Sequence, residues 1–417
     1  MKQGNTRRVI AAGAIGNVLE WYDFAVYGYF AAAIGRAFFP SEDAVAQVLA
    51  AFGIFAVGFL MRPIGGAVIG AIGDRLGRRA ALTFSVAAMA IPTFLVGVLP
   101  DYQTLGIAAP ILLTLLRMIQ GLSVGGEYTT SIIFIIEQSP PDRRAFVGAL
   151  GCCGAVGGIL LGSATGALLA SVMSEQALES WGWRLPFLLG LVVGIAGVVL
   201  RRHVPESPRK ASAKSPLLDT VRNHGPLLAK LAALSVFNSV GFYLMFVYIV
   251  SWLQSADGIA PATALAINST SMVAMLPVMV LMGWLSDHYG RRPVMLGAAA
   301  LGFVGAVPFF WLMHHGQPGL VVLGQLGFVL SVGAFIGGQP ALMVEAVPAE
   351  IRCTAIALGY NVTLGVLGGF SPLVATWLVH RTENDYSPAF MIMAAAAISF
   401  AAILKFDETH RLRLQAA

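Results

Sequence analysis

The sequence predicts an all-α membrane protein of twelve transmembrane helices in two homologous six-helix halves, and three observations carry that prediction. The first is composition: of 417 residues, 57% are hydrophobic and 11% charged, where a soluble domain needs about 25% charged residues to cover its surface. The second is a succession of apolar runs, each long enough to cross a hydrocarbon core of about 30 Å, which takes about 20 helical residues. The third is an internal repeat. GAIGDRLGRR (70–79) returns as GWLSDHYGRR (283–292), and EQSPPDRR (137–144) returns in the same order as EAVPAEIR (345–352). Motifs repeated in one order imply halves of parallel topology, an arrangement that encloses a cavity between them.

Taken in order, the runs place helices over 9–35, 45–72, 80–99, 110–137, 145–172 and 184–201, then 228–254, 261–285, 293–313, 319–345, 353–379 and 388–405. The first run follows a short basic N-terminus and contains Glu20 and Asp23 without a small-residue cleavage site, so it reads as a span and not a removable signal. The stretch 202–226, with four prolines and most of the central basic charge, reads as a linker between halves at 1–201 and 227–417. An even number of spans puts both termini on one side. Apart from Arg36, Arg184 and Arg381, the loop Lys and Arg residues fall on that side, which makes it the cytoplasm of an inner membrane.

The same inventory excludes several classes of function. The net charge of +5 is not gathered into one basic surface, so no nucleic acid is expected as a partner; the partners are protons, a small molecule and the bilayer, and the expected state is a monomer. Cys152, Cys153 and Cys353 sit in apolar runs and read as packing residues. His314 and His315 lack a third ligand, so no metal is expected, and no cofactor. No nucleophile and base stand at a workable spacing, which excludes an enzyme.

Inside the spans, ionisable side chains cost about 2.5–3.5 kcal/mol each on insertion scales and mark function by default. They are Glu20, Asp23, Arg62, Arg117 and Glu127. On the first span, Glu20, Asp23 and Tyr27 share a helix face; on the fourth, Arg117, Gln120 and Glu127 form a second stripe. A carboxylate withheld from water takes up a proton more readily, and a neighbouring Arg opposes this. The pattern therefore points to a proton switch carried by Asp23 and Glu127, with Glu20 as a further member and Arg117 as the tuning partner. A fixed pair between Glu20 and Arg62 or Arg117 stays open. A guanidinium also recognises a carboxylate through two parallel hydrogen bonds, which makes Arg62 and Arg117 the substrate candidates. Neutral groups that can orient a polar substrate are Tyr27, Tyr128, Asn238, Tyr243, Gln339, Tyr360 and Asn361. Trp21, Tyr22, Tyr27 and Tyr128 fit either a cation-π box or ordinary core packing.

The repeated loops resemble the gating signature of the major facilitator superfamily. That resemblance implies charge networks that close the cytoplasmic side, formed by Asp74, Arg78, Glu137 and Arg143 in the first half and Asp287, Arg291, Glu345 and Arg352 in the second. A narrower resemblance, to the metabolite:proton symporters, rests on GNVLEWYDFAVYGYF (16–30), FLMRPIGG (59–66), RMIQGLSVGGEYTTS (117–131) and WGWRLPF (181–187). It implies proton-coupled import of a carboxylate-bearing metabolite. An organic acid such as alpha-ketoglutarate or citrate is the leading expectation and a zwitterion such as betaine or proline the alternative, with a non-transporting solute sensor as the reading from another class.

Overall fold

The computed structural model describes residues 18, 20–65, 78–124, 127–137, 139–201, 220, 222–349 and 351–410. Every regular element among them is helical. Eight helices are long and apolar enough to cross a membrane: Ala44–Gly65, Arg144–Val172, Gly225–Asp257, Pro261–Tyr289, Arg291–Met313, Pro318–Ala346, Thr354–Thr382 and Ser387–Leu404. Shorter apolar helices cover Thr83–Val98, Ala108–Val124 and Gly182–Ala196. These fall on the expected runs, and the first run is helical over 20–29 and Ala31–Phe38. Leu168, Val172, Val192, Ile195 and Val304 are more than half exposed, which suits a chain solvated by lipid. In hydrocarbon every backbone group must be bonded internally, a condition that helices meet within a single segment.

The site lies on helices numbered here α1 (20–29), α2 (Ala44–Leu60), α3 (Arg78–Val98), α4 (Ala108–Val124), α5 (Arg144–Val172), α6 (Gly225–Tyr243), α7 (Pro261–Tyr289), α8 (Arg291–Met313) and α9 (Pro318–Ala346). Their ends follow local chemistry more closely than hydropathy. The Asp43 side chain accepts from Val45 N at 2.8 Å and starts α2, satisfying one of the helix's orphan donors. The helix over 249–257 ends at Gly258 with φ of 63°, the left-handed conformation that glycine adopts without strain. Hydropathy marks 228–254 for that span, whereas the helical stretch runs Gly225–Asp257.

Two features differ from uniform helices. Leu244–Tyr248 and Leu364–Gly368 are π-helical turns inside otherwise α-helical spans. Such turns release a backbone carbonyl that another group must satisfy, and Asn268 Nδ2 donates to Phe246 O at 3.2 Å.

The chain forms two compact units. One comprises Met1–Tyr128 and Gly154–Ser212, the other Thr129–Cys153 and Ala213–Ala417. Segment 129–153 thus packs with the C-terminal part of the chain. Residues 202–219 of the expected linker lie outside the described residues.

Candidate functional site

The first unit contains the intramembrane charges, and the four whose side chains are described form pairs. Asp23 Oδ2 accepts from Arg117 Nη1 at 2.5 Å, and Asp23 Oδ1 accepts from Thr93 Oγ1 and Gln120 Nε2, both at 2.8 Å. Gln120 Oε1 also accepts from Arg117 Nη1 at 2.9 Å. One turn earlier on α1, Glu20 Oε1 accepts from Arg62 Nη2 at 3.0 Å. Asp23, Arg62 and Arg117 are fully buried, and Glu20 is 5% exposed. Withdrawing such ions from water costs several kcal/mol each, and only close pairing offsets it.

A close crossing of α2 and α4 brings the pairs together. A Cβ on Gly58 would lie 3.1 Å from the Arg117 carbonyl oxygen, and a Cβ on Gly121 would overlap the Gly58 carbonyl. The two backbones therefore touch, as small residues allow in membranes. Arg62, four residues beyond Gly58, is thereby held beside the helix that carries Arg117.

Arg117 keeps one side open. Its Nε and Nη2 donate to no acceptor among the described residues, and together they form one edge of the guanidinium, the geometry that grips a carboxylate with two parallel bonds. Arg62 Nε and Nη1 also lack acceptors there, but these two nitrogens do not share an edge. Aromatic rings line both cations. The Arg117 Cζ lies 4.3 Å from the Tyr27 ring centre and 4.9 Å from that of Phe24; the Arg62 Cζ lies 5.1 Å from Phe59 and 5.8 Å from Trp21. These distances are within cation-π range. Among the described residues the site holds two carboxylates and two guanidiniums, so its formal charge balances.

The remaining candidates have mixed placements. The Tyr27 hydroxyl donates to Ala51 O at 3.1 Å, and Tyr128 packs edge-on against Trp21 at 6.0 Å. The Tyr22 hydroxyl donates to Pro186 O at 2.7 Å, a packing contact. In the second unit, Asn238, Tyr243, Tyr360 and Asn361 are buried, and Gln339 Nε2 donates to Ser235 Oγ at 3.1 Å, a cross-link between α9 and α6. Asp74 and the side chains of Arg78, Glu127 and Cys353 lie outside the described residues. Thr93, Phe24, Phe55 and Phe59 were not singled out from the sequence. A hydroxyl or phenyl group in an apolar run carries no sign that it touches a charge.

A second ionic cluster lies in the second unit. Glu345 accepts from Arg291 Nε at 3.1 Å and Arg291 Nη2 at 3.0 Å, from Thr409 Oγ1 at 2.7 Å and from Arg144 Nη1 at 3.5 Å. Asp287 takes Arg291 Nη1 at 2.6 Å and accepts from the backbone N–H groups of Ala145 and Phe146 at 3.0 and 2.8 Å. A carboxylate thus sits on the positive N-terminal end of α5. Glu137 pairs with Arg352, whose Nε donates to Val347 O at 3.1 Å. Arg143, expected in this network, is exposed and pairs with its neighbour Asp142 at 3.6 Å, and Arg144 takes the inward position. Arg144 is the first residue of α5, and Arg143 lies in the bend before it.

His314 Nδ1 lies 2.8 Å from Asp257 Oδ1. Glu408 caps α8 from a distance, accepting from Arg291 N at 2.8 Å and Arg292 N at 2.9 Å. Gly290 makes room for it, with φ of 109° and a would-be Cβ 2.7 Å from Glu408 Oε2. Burial raises the proton affinity of Glu408, but four backbone N–H groups outweigh it and hold its pKa below the ordinary glutamate value.

Comparison with known proteins adds the following. The sequence model of the Major Facilitator Superfamily matches residues 13–358 and 231–416. The glycine betaine/proline/ectoine/pipecolic acid transporter OusA of Dickeya dadantii is 37% identical over 99% of this chain and 86% of its own length. The proline/betaine transporter of Escherichia coli K12 is 35% identical over the same shares. Among solved structures, a D-xylose-proton symporter superposes with a TM-score of 0.78 at 20% identity, covering 99% of this chain and all of that one. The xylose transporter XylE from E. coli, in a partially occluded inward-open conformation, gives 0.79 at 19% identity, with 99% and 100% covered.

Proposed function

The chain belongs to the Major Facilitator Superfamily, a superfamily of multi-pass membrane transporters and not of enzymes, and from that membership we propose that it imports a small zwitterion such as betaine or proline together with protons, by alternating access across a bacterial-type inner membrane. The observation that carries the reading is the charge balance around α1, where Asp23 faces Arg117 and Glu20 faces Arg62. A zwitterion adds no net charge, so the loaded site departs from that balance only by the coupled proton, whereas a tricarboxylate carried with one proton leaves two charges uncompensated in a buried site, at several kcal/mol per ion. The substrates in the relatives' names support the same choice, so the organic-acid expectation gives way to the zwitterion, and their being transporters sets aside the sensor.

The coupling follows from Arg117 having two clients. The substrate carboxylate docks on its Nε and Nη2 edge, and as Arg117 turns to it, Nη1 leaves Asp23. A buried carboxylate stripped of its counter-ion is destabilising by about 3–5 kcal/mol. A proton on Asp23 removes that charge while Thr93 and Gln120 hold the group in place. Substrate and proton then each favour the binding of the other, which is the reciprocity required of a symporter.

The cluster of Glu137, Arg144, Asp287, Arg291, Glu345 and Arg352 is the cytoplasmic latch, with Asp74 and Arg78 as counterparts in the first half. Ion pairs that form in one state and part in another make a bistable element. Twelve spans, six on each side of the linker, place both termini in the cytoplasm, and the working unit is a monomer.

The test uses purified protein in proteoliposomes containing an internal pH dye, without an imposed gradient. Adding glycine betaine, proline, alpha-ketoglutarate, citrate or shikimate one at a time should acidify the lumen with a zwitterion and not with an acid. Acidification by an organic acid alone would overturn the assignment.

A further inference from the structure

The coupling scheme uses the charges and leaves the rings unexplained. Trp21, Phe24, Tyr27, Phe55 and Phe59 are all buried, and each guanidinium has three of them within 6.0 Å of its Cζ. Aliphatic side chains would fill the same space, but they offer no negative face to a cation. Phe24 is the ring shared by both cations among the described residues, 4.9 Å from the Arg117 Cζ and 5.9 Å from that of Arg62. Its neighbour on α1 is Asp23, and Glu20 lies one turn away.

Resting on the zwitterion reading, we infer that Phe24, with Trp21 and Phe59, is the subsite for the substrate's alkylated ammonium, and that Arg62 is an internal cation which gives up this place to it. Three observations converge on the assignment. Arg117 offers a carboxylate a complete edge, whereas the open nitrogens of Arg62 belong to different edges, so Arg62 is the weaker carboxylate ligand of the two. One methylene separates the two charges of glycine betaine, so its subsites must adjoin, and Phe24 adjoins both guanidiniums. A trimethylammonium group has no N–H to donate. Ring faces and the nearby carboxylate of Glu20 therefore satisfy it fully, and no hydrogen-bond acceptor has to be supplied.

The experiment compares glycine betaine with 3,3-dimethylbutanoate, which keeps the shape and the carboxylate but replaces the cationic nitrogen by carbon. Both compete for labelled glycine betaine on the purified full-length protein. The unaltered protein should favour betaine, and Phe24→Leu should reduce that preference about tenfold while leaving 3,3-dimethylbutanoate binding nearly unchanged. Mono-, di- and trifluorinated phenylalanine at position 24 drain the ring face without loss of volume, and should weaken betaine binding stepwise even if the leucine variant fails to fold. Betaine binding that is flat across the fluorinated series, or an equal loss for both compounds in Phe24→Leu, overturns the subsite alone. Absence of betaine binding by the unaltered protein overturns the subsite, and absence of proline binding as well overturns the uptake reading with it.

Discussion

Asp23 accepts from Arg117, Thr93 and Gln120 at once, and its loss should separate coupling from transport. Asp23→Asn is expected to abolish proton-driven accumulation while sparing exchange of labelled betaine between the two sides of a proteoliposome; loss of both would make Asp23 structural. Arg117→Gln leaves a buried carboxylate unpaired and should lower stability by about 3–5 kcal/mol. The double variant Asp23→Asn with Arg117→Gln should melt above Arg117→Gln alone in detergent, because removing both charges relieves the penalty that removing one creates. Glu20, Asp23, Arg62 and Arg117 were legible in the sequence because charges are rare in apolar runs. Which carboxylate pairs with which guanidinium stayed open there, since it depends on the contact of Gly58 with Gly121. The choice of Arg144 over Arg143 was not legible either, since it rests on where α5 begins.

The helix termini obey rules that a sequence reader can apply when the capping residue is local, as Asp43 is to α2. They escape that reader when the cap is remote. Asp287 caps α5 and Glu408 caps α8 from more than a hundred residues away. Removing the second cap by Glu408→Gln should lower stability at neutral pH by about 1 kcal/mol. The sign with acid follows from its depressed pKa: the contribution is complete above the ordinary glutamate value near 4.5 and fades as pH falls through the lower folded value. Melting curves of the two proteins should therefore converge on acidification, and a gap that stays constant would show that Glu408 is not acting as a charged cap. The π turns at 244–248 and 364–368 had no sequence signal, because apolar residues fill them as readily as an α-helix.

The repeat of the two loop motifs implies two halves in the sequence. In the structure, segment 129–153 is held to the C-terminal part through Asp287, Glu345 and Arg352. Asp287→Ala should thus speed amide hydrogen exchange over residues 144–153 and leave 20–65 unchanged. Uniform acceleration of both stretches would mean that the two units open as one cooperative body.

The crossing of Gly58 and Gly121 also bears on attempts to make the protein more robust. Replacing a mid-helix glycine by alanine ordinarily strengthens a helix by about 1 kcal/mol, and a consensus-minded engineer would begin with such positions. At these two, the added methyl meets the opposing backbone and forces the helices apart by their shortest route, carrying Arg62 and Arg117 with them. A library of thermostable variants should therefore be depleted of substitutions at both glycines, and any survivor should show altered substrate selectivity.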